Sequence, residues 1–435
     1  MSTSFARGPA ATVLRAELRR GIAPWTGPAV HVCLLVPMGA KAAEWQGGWA
    51  ETQETLHTAT ALLGIPLLAA IACWQGGRER RRGTEELLRS VVRGRLARLM
   101  VAVLPLMLWA AAGQLLALGA AFAATAPYAG PGGGPSPVLA VVDLGCLLTA
   151  APVGFVVGRL VRWRLAAPVL AAVCYVLLGV LNYTRSPARY LSPAEQYALR
   201  EAEPVWWFAP SLLAWTGGVA ATVLLAYAAR RRLLALLPLA LAVLAGAVVV
   251  QTGDGLLRPD PAGSRRVCSA PDAGTPQLCV PASLAPVLPD ATEALTEVFA
   301  RLDGVEGAPA RYVASGFRLR RTKGEAPLGY VTRGWGFHRD RLDDPREFAD
   351  DTVLSLLNPD CPADRRGKDR KAADRAASTE DAVRTWLTGG NATWHPKARP
   401  YLARLEAMPD PARKVWIGRY LTGLRSCSPE GAPVL

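Results

Sequence analysis

Long apolar runs broken by short arginine-rich islands dominate the first 251 residues, and a water-soluble fold has nowhere to bury so many of them. A bilayer core about 30 Å thick takes roughly 20 apolar residues per helix. Windows of that kind fall near 23–40, 56–76, 99–125, 138–158, 165–182, 206–228 and 233–251. The expected fold is an α-helical polytopic membrane protein with about seven transmembrane helices, preceded by residues 1–22. The first window is the weakest, because it carries Pro28, His31 and Pro37. It ends at Ala40-Lys41-Ala42, which resembles a small-residue signal cleavage site. The stretch ahead of it is long for a signal peptide, which favours a retained span over cleavage.

Positive charge in short loops stays on the cytoplasmic side of a membrane. One set of islands holds Arg7, Arg15, Arg19 and Arg20; Arg78, Arg80, Arg81, Arg82, Arg89, Arg93, Arg95 and Arg98; Arg159, Arg162 and Arg164; and Arg230, Arg231 and Arg232. The alternate set holds only Lys41, Arg185, Arg189 and Arg200. Eighteen against four places residues 1–22 in the cytoplasm, and an odd number of spans then puts the chain beyond residue 251 outside. The outward connections, Lys41 to Thr55, Pro127 to Pro137 and Asn182 to Pro204, are polar or rich in Gly and Pro, as loops are.

Residues 1–251 carry 22 Lys/Arg against 11 Asp/Glu, and residues 252–435 carry 27 against 24. The basic surplus therefore flanks apolar windows and does not form a nucleic-acid face, so the expected partner is the lipid bilayer of the cell membrane, with no nucleic acid. Trp25, Trp45, Trp49, Trp74, Trp163, Trp206 and Trp207 lie at or near the window ends, where an indole anchors in the interface.

Residues 252–435 read as a small α+β or mostly α extracytoplasmic domain. A helix is expected over Asp290 to Leu302, with Leu295, Val298, Phe299 and Leu302 on one face. Segments 311–319 and 328–333 look like strands, and further helices are expected over 346–357, 378–388, 397–407 and 410–424. The charge-dense 362–377 reads as a solvated loop or helix face. Four cysteines, Cys268, Cys279, Cys361 and Cys427, lie in this half; without a C-x-x-C pair they suit disulfides better than zinc. Of three possible connectivities, Cys268 with Cys279 and Cys361 with Cys427 is favoured.

The loop between the second and third windows, residues 77–98, holds the densest chemistry. Thr84 can cap a helix with Glu85 and Glu86 in its first turn, and Leu87, Leu88, Val91, Val92 and Leu96 supply a partial apolar face. This stretch, through Glu79, Gly83, Thr84, Glu85, Leu87, Leu88 and Arg95, resembles the corresponding loop in permease subunits of type-2 ABC transporters. There an acidic residue, a Gly-Thr and a Glu-x-Leu-Leu precede a basic run. The resemblance covers roughly residues 10–230. It implies a loop that contacts a separate cytoplasmic ABC ATPase subunit and a permease that works as a homodimer or with a second permease. Without that family, an arginine-rich inward loop has a simpler role as a tether on anionic lipid. The large outer tail departs from the usual six-span permease. It is similar to actinobacterial permease-like membrane proteins whose tails open with paired cysteines around a Pro-rich segment, as Cys268 to Pro281 does here.

No Walker A pattern occurs, so ATP would be hydrolysed by the partner and this chain would hold no cofactor of its own. H-E-x-x-H and G-x-S-x-G are absent, and the chain is not expected to be an enzyme. Asp143, the one carboxylate well inside an apolar window, is a functional candidate, although its place near the outer end would also let it reach interfacial water. His31 and His57, alone, make a poor metal site, and none is expected. The rival to a permease is a non-transporting protein whose spans anchor an extracytoplasmic binding or sensor domain.

Overall fold

The computed structural model describes residues 9–83, 94–130, 135–184, 186–197, 202–229, 231–261, 265–270, 275–314, 322, 324–329, 337–338, 341–342, 344–358, 370–390, 394–425 and 433. The chain forms two compact units, Met1–Pro127 with Gly134–Arg258, and Tyr128–Gly133 with Pro259–Leu435.

The first unit is helical: α1 (Pro9–Arg19), α2 (Ala23–Ala40), α3 (Trp49–Gly76), α4 (Arg95–Thr125), α5 (Pro137–Leu160), α6 (Ala166–Asn182), α7 (Phe208–Ala228) and α8 (Leu236–Thr252). Each of the seven apolar windows lies on one of these helices. Among the described residues five are long and apolar enough to cross a membrane, namely α3, α4, α5, α7 and the run Arg232–Leu256 that contains α8. A sixth is reached if α1 and α2, bent by 44°, count as one span. α6 has 17 residues, about 26 Å at 1.5 Å per residue, and falls short of a full hydrocarbon core.

Side chains on these helices are distributed inside out. Val173, Val176, Leu177 and Val180 on α6 are exposed, as are Leu237, Leu241, Leu244 and Val248 on α8. Polar residues such as Thr52, Gln53, His57, Thr60 and Gln114 are buried instead. Apolar surface of that extent is unfavourable in water and favourable in hydrocarbon, which marks the unit as membrane-embedded.

α5 has a start fixed by its local sequence, whereas α3 starts ahead of its apolar window. α3 begins seven residues earlier than its apolar window, so Trp49–Thr55, expected in an outward loop, are helical. It contains a π turn at Thr60–Gly64, just ahead of Pro66, whose ring has no N–H to donate and would crowd a regular α turn. α5 starts with Ser136 as cap, its hydroxyl accepting from the Leu139 amide, followed by Pro137 in the first turn.

The second unit is built on a four-stranded sheet of β1 (Arg266–Cys268), β2 (Gln277–Pro281), β3 (Arg311–Ala314) and β4 (Glu325–Leu328), in that spatial order. β1 and β2 are antiparallel, with Cys268 directly opposite Cys279, and these two form a disulfide. β2 with β3 and β3 with β4 are parallel. Leu278, Cys279 and Val280 and, beside them, Tyr312, Val313 and Ala314 are all buried, as central strands covered on both faces are.

The expected helix over Asp290 to Leu302 is two short ones, α9 (Leu288–Ala294) and α10 (Thr296–Leu302), broken at fully buried Leu295. α11 (Pro345–Leu357), α12 (Arg370–Leu387), α13 (Arg399–Ala407) and α14 (Asp410–Arg425) complete the unit. Phe299, Leu302, Phe348, Val353, Val383, Trp386, Leu405, Ile417 and Tyr420 join the strand residues in one core. Glu325 binds Arg266 from the far edge strand at 2.9 Å and Arg311 at 3.4 Å. Its carboxyl is held below the ordinary glutamate range, mainly by the hydrogen bond from the Thr322 amide. Cys361 and Cys427 lie outside the described residues.

Candidate functional site

Asp143 lies on the second turn of α5, 5% exposed, and it is not alone there. The Nδ1 of His57, on α3, lies 2.5 Å from its Oδ1. The Nε2 of the same ring lies 3.0 Å from the backbone carbonyl of Glu195, in the connection between α6 and α7. A carbonyl oxygen only accepts, so Nε2 carries a hydrogen, and a second proton is then needed between Nδ1 and the carboxylate. The His57–Asp143 pair therefore holds together as a net neutral unit.

Around the pair, the Tyr197 ring tilts against His57 with centroids 4.9 Å apart, and Phe208 meets Tyr197 edge-on at 5.5 Å. The Tyr197 hydroxyl is buried and has no hydrogen-bond partner among the described residues. Burial first, and then the charges of Asp143, Cys146 and Glu195, raise its pKa well above that of a free tyrosine. The carboxyl of Glu195 is itself raised by burial, and Arg189 at 3.3 Å partly offsets that shift.

This buried polarity continues along the first three turns of α3. Gln53 donates to the Ser136 carbonyl and accepts from the Ser136 amide, each at 2.6 Å, which ties α3 to the start of α5. Thr52 meets Thr125 at 2.6 Å, and Thr60 exchanges hydrogen bonds with Gln114. Glu51 and Glu54 are buried on the same stretch. A helix turn this polar is expensive inside a bundle unless each group finds a partner, and such groups in membrane proteins mark ligand or ion contacts.

At their opposite ends the same two helices are joined again. Just past α3, Glu79 makes a bidentate ion pair with Arg159 near the end of α5. Arg80 donates to the carbonyls of Gly158 and Val161 at 2.7 and 2.8 Å, satisfying acceptors that the end of α5 leaves open. Between the two ends there is no room for side chains. A Cβ at Gly154 would overlap the Ala69 carbonyl, one at Gly158 the Cys73 carbonyl, and one at Gly76 the Phe155 carbonyl. Gly154-Phe-Val-Val-Gly158 is a G-x-x-x-G pattern, which lets helix backbones approach closely in a membrane. α3 and α5, running in the same direction, are thus clamped at both ends and in backbone contact between them.

Of the loop residues singled out in the sequence, Glu79 is in this clamp, Gly83 is exposed with φ +65°, and Arg95 is exposed at the start of α4. Thr84, Glu85, Glu86, Leu87 and Leu88 lie outside the described residues. Asp143 is in the buried pair, and Cys268 and Cys279 are bonded. His57, Tyr197 and Arg159 were not singled out as partners of those residues. The G-x-x-x-G spacing was visible in the sequence, whereas the His57–Asp143 pairing joins residues 86 apart and left no local pattern. No group of three His, Cys, Asp or Glu side chains suited to a metal forms among the described residues.

In the second unit, Trp394 and His395 are exposed. The Arg384 guanidinium lies 3.7 Å from the Trp394 ring centroid and binds Asp381 and Asp350, while the His395 amide donates to Asp381.

Taken together, these features define a helical membrane protein with a clamped helix pair and a buried polar cluster at one end of it. No family model matches the chain, and neither a curated protein nor a solved structure matches it.

Proposed function

We propose that the chain is a permease-like subunit of a type-2 ABC transporter. In this reading it crosses the cell membrane seven times, with residues 1–22 cytoplasmic and the tail from about residue 252 outside. A separate cytoplasmic ATPase supplies the energy, and a second permease, identical or different, completes the pathway.

One observation carries the proposal. The loop that begins at Gly77 is tied through Glu79 and Arg80 to the end of α5, and α5 packs on α3 without intervening side chains. A displacement of that loop by a closing ATPase would move α3 and α5 as one body. The far end of that body bears the buried His57–Asp143 pair, beside the polar stretch at the start of α3. The Cys268–Cys279 disulfide supports an oxidising compartment for the tail.

The test is recovery of an ATPase with the full-length chain, followed by replacement of Glu79, Glu85 and Glu86 with alanine. Loss of the clamp and of charged contacts is expected to lower transport-coupled ATP hydrolysis by about tenfold or more. Unchanged ATPase association and unchanged transport would refute the coupling role. A membrane-anchored binding or sensor protein is the second reading, favoured by the tail's own core and disulfide. It predicts no ATPase partner and a ligand bound by the tail.

A further inference from the structure

Beside the clamp, the bend between α1 and α2 leaves a cavity of about 450 Å³. Gly21, at φ +75°, makes the turn that opens it. Gly21, Ile22 and Trp25 form one wall, and Trp74, Gln75, Arg78, Arg81 and Arg82 the other. The two walls differ in chemistry. Trp25 is 73% exposed and Trp74 46%, large aromatic surfaces that no protein group among the described residues covers fully.

The charge in the cavity is mostly unbalanced. Arg78 pairs with Glu17 at 3.0 Å. Arg81 lies 4.0 Å from the Trp74 ring centroid and donates to the Trp74 carbonyl at 2.5 Å, so these partners are neutral. Arg80 is turned to the end of α5, and Arg82 is exposed. Among the described residues, three guanidiniums thus face one carboxylate. Burial first, and then the positive charge of Arg80, lower the pKa of Arg81 from the usual arginine range, and Cys73 partly offsets that shift.

We propose that this cavity is a binding site for one anionic phospholipid. Arg78, Arg81 and Arg82 hold its phosphate, and Ile22, Trp25 and Trp74 pack against its glycerol and upper acyl chain. Guanidinium forks match phosphate oxygens geometrically, and basic pockets at the cytoplasmic ends of helices recognise lipid headgroups. Tryptophan belongs at that depth. The volume lies within the usual range for a ligand site. A free phosphate would satisfy the arginines and leave the aromatic wall bare, which is why the lipid is the favoured source of the anion. The inference rests on the membrane reading alone and does not require an ATPase.

Native mass spectrometry of the full-length chain in neutral detergent tests it, with phosphatidylglycerol, phosphatidylcholine or inorganic phosphate added. The expected result is one phosphatidylglycerol retained about tenfold or more over phosphatidylcholine, with millimolar phosphate a weak competitor. Arg81→Gln with Arg82→Gln should abolish the preference, and the exposed Arg82→Gln alone should weaken it should the double variant fail to fold. Trp25→Ala should weaken retention of the lipid. Arg162→Gln with Arg164→Gln, elsewhere on the basic surface, should leave the preference intact. Equal retention of the two lipids, phosphate competing as well as the lipid, or an equal loss in the Arg162/Arg164 variant would each overturn the proposal.

Discussion

Replacing His57 with alanine is expected to destabilise the membrane unit by about 3–5 kcal/mol, because it strands Asp143 as an unpaired buried carboxylate. The substitution also removes the ring N–H donated to the Glu195 carbonyl and the face against which Tyr197 packs. The effect is a property of the pair. His57→Leu combined with Asp143→Leu removes both charged partners at once and is expected to cost less than His57→Ala alone, since apolar replacement of a buried ion pair is often close to neutral. Unfolding of the purified chain, followed as loss of helical signal on titration with a denaturing detergent, reads both variants. If the double variant were less stable than His57→Ala, the pair would not be the stabilising unit.

Gly158→Leu is the second substitution with a large expected effect. The backbone of α3 at Cys73 occupies the space a side chain would need, and a carbonyl cannot step aside as a flexible side chain can. α3 and α5 must separate, losing contact along Ala69, Cys73 and Gly76 and straining the Glu79–Arg159 tie. The expected loss is about 3 kcal/mol or more, at or above the upper end for overpacking. It should appear as a collapse of the monodisperse fraction in size-exclusion chromatography. Gly119→Leu on α4, where nothing lies within 4 Å, is the matched control and should behave as the parent chain does. Equal behaviour of the two variants would mean that α3 and α5 are not in backbone contact.

How far the sequence could be read depended on whether each feature has a local signature. Apolar spans have one, since lipid demands about 20 apolar residues in a row. The windows from 23–40 to 233–251 therefore all lie on helices, although α6 is shorter than a full crossing. The same criterion misplaced the start of α3. Residues 51–54 are polar and read as an outward loop, yet they are helical and buried against α4 and α5, where hydrogen bonds replace the missing hydrophobicity.

The tail sheet was half legible for a related reason. Strand β2 is buried on both faces and so shows no alternation of polar and apolar residues, and neither β1 nor β2 was anticipated. The expected Cys268–Cys279 pairing is formed, with the two residues opposite each other on antiparallel β1 and β2. The candidate site was the least legible part. Asp143 was visible as a lone carboxylate among apolar neighbours, and Glu79 through the loop that contains it. Their partners His57 and Arg159 lie 86 and 80 residues away, and only the packing of α3 on α5 unites them.

Coupling, lipid binding and an oxidised tail all require the chain to cross a membrane with the arginine loop inside and the tail outside. Thiol labelling of whole cells with an impermeant maleimide, using Gly94→Cys and, separately, Val415→Cys, measures this directly. Gly94 opens α4 beside the arginine loop, and Val415 is an exposed residue of α14. Above the background of the native cysteines, Val415→Cys should label on intact cells and Gly94→Cys only after permeabilisation. Labelling of Gly94→Cys on intact cells, with Val415→Cys protected until the membrane is opened, would contradict that arrangement.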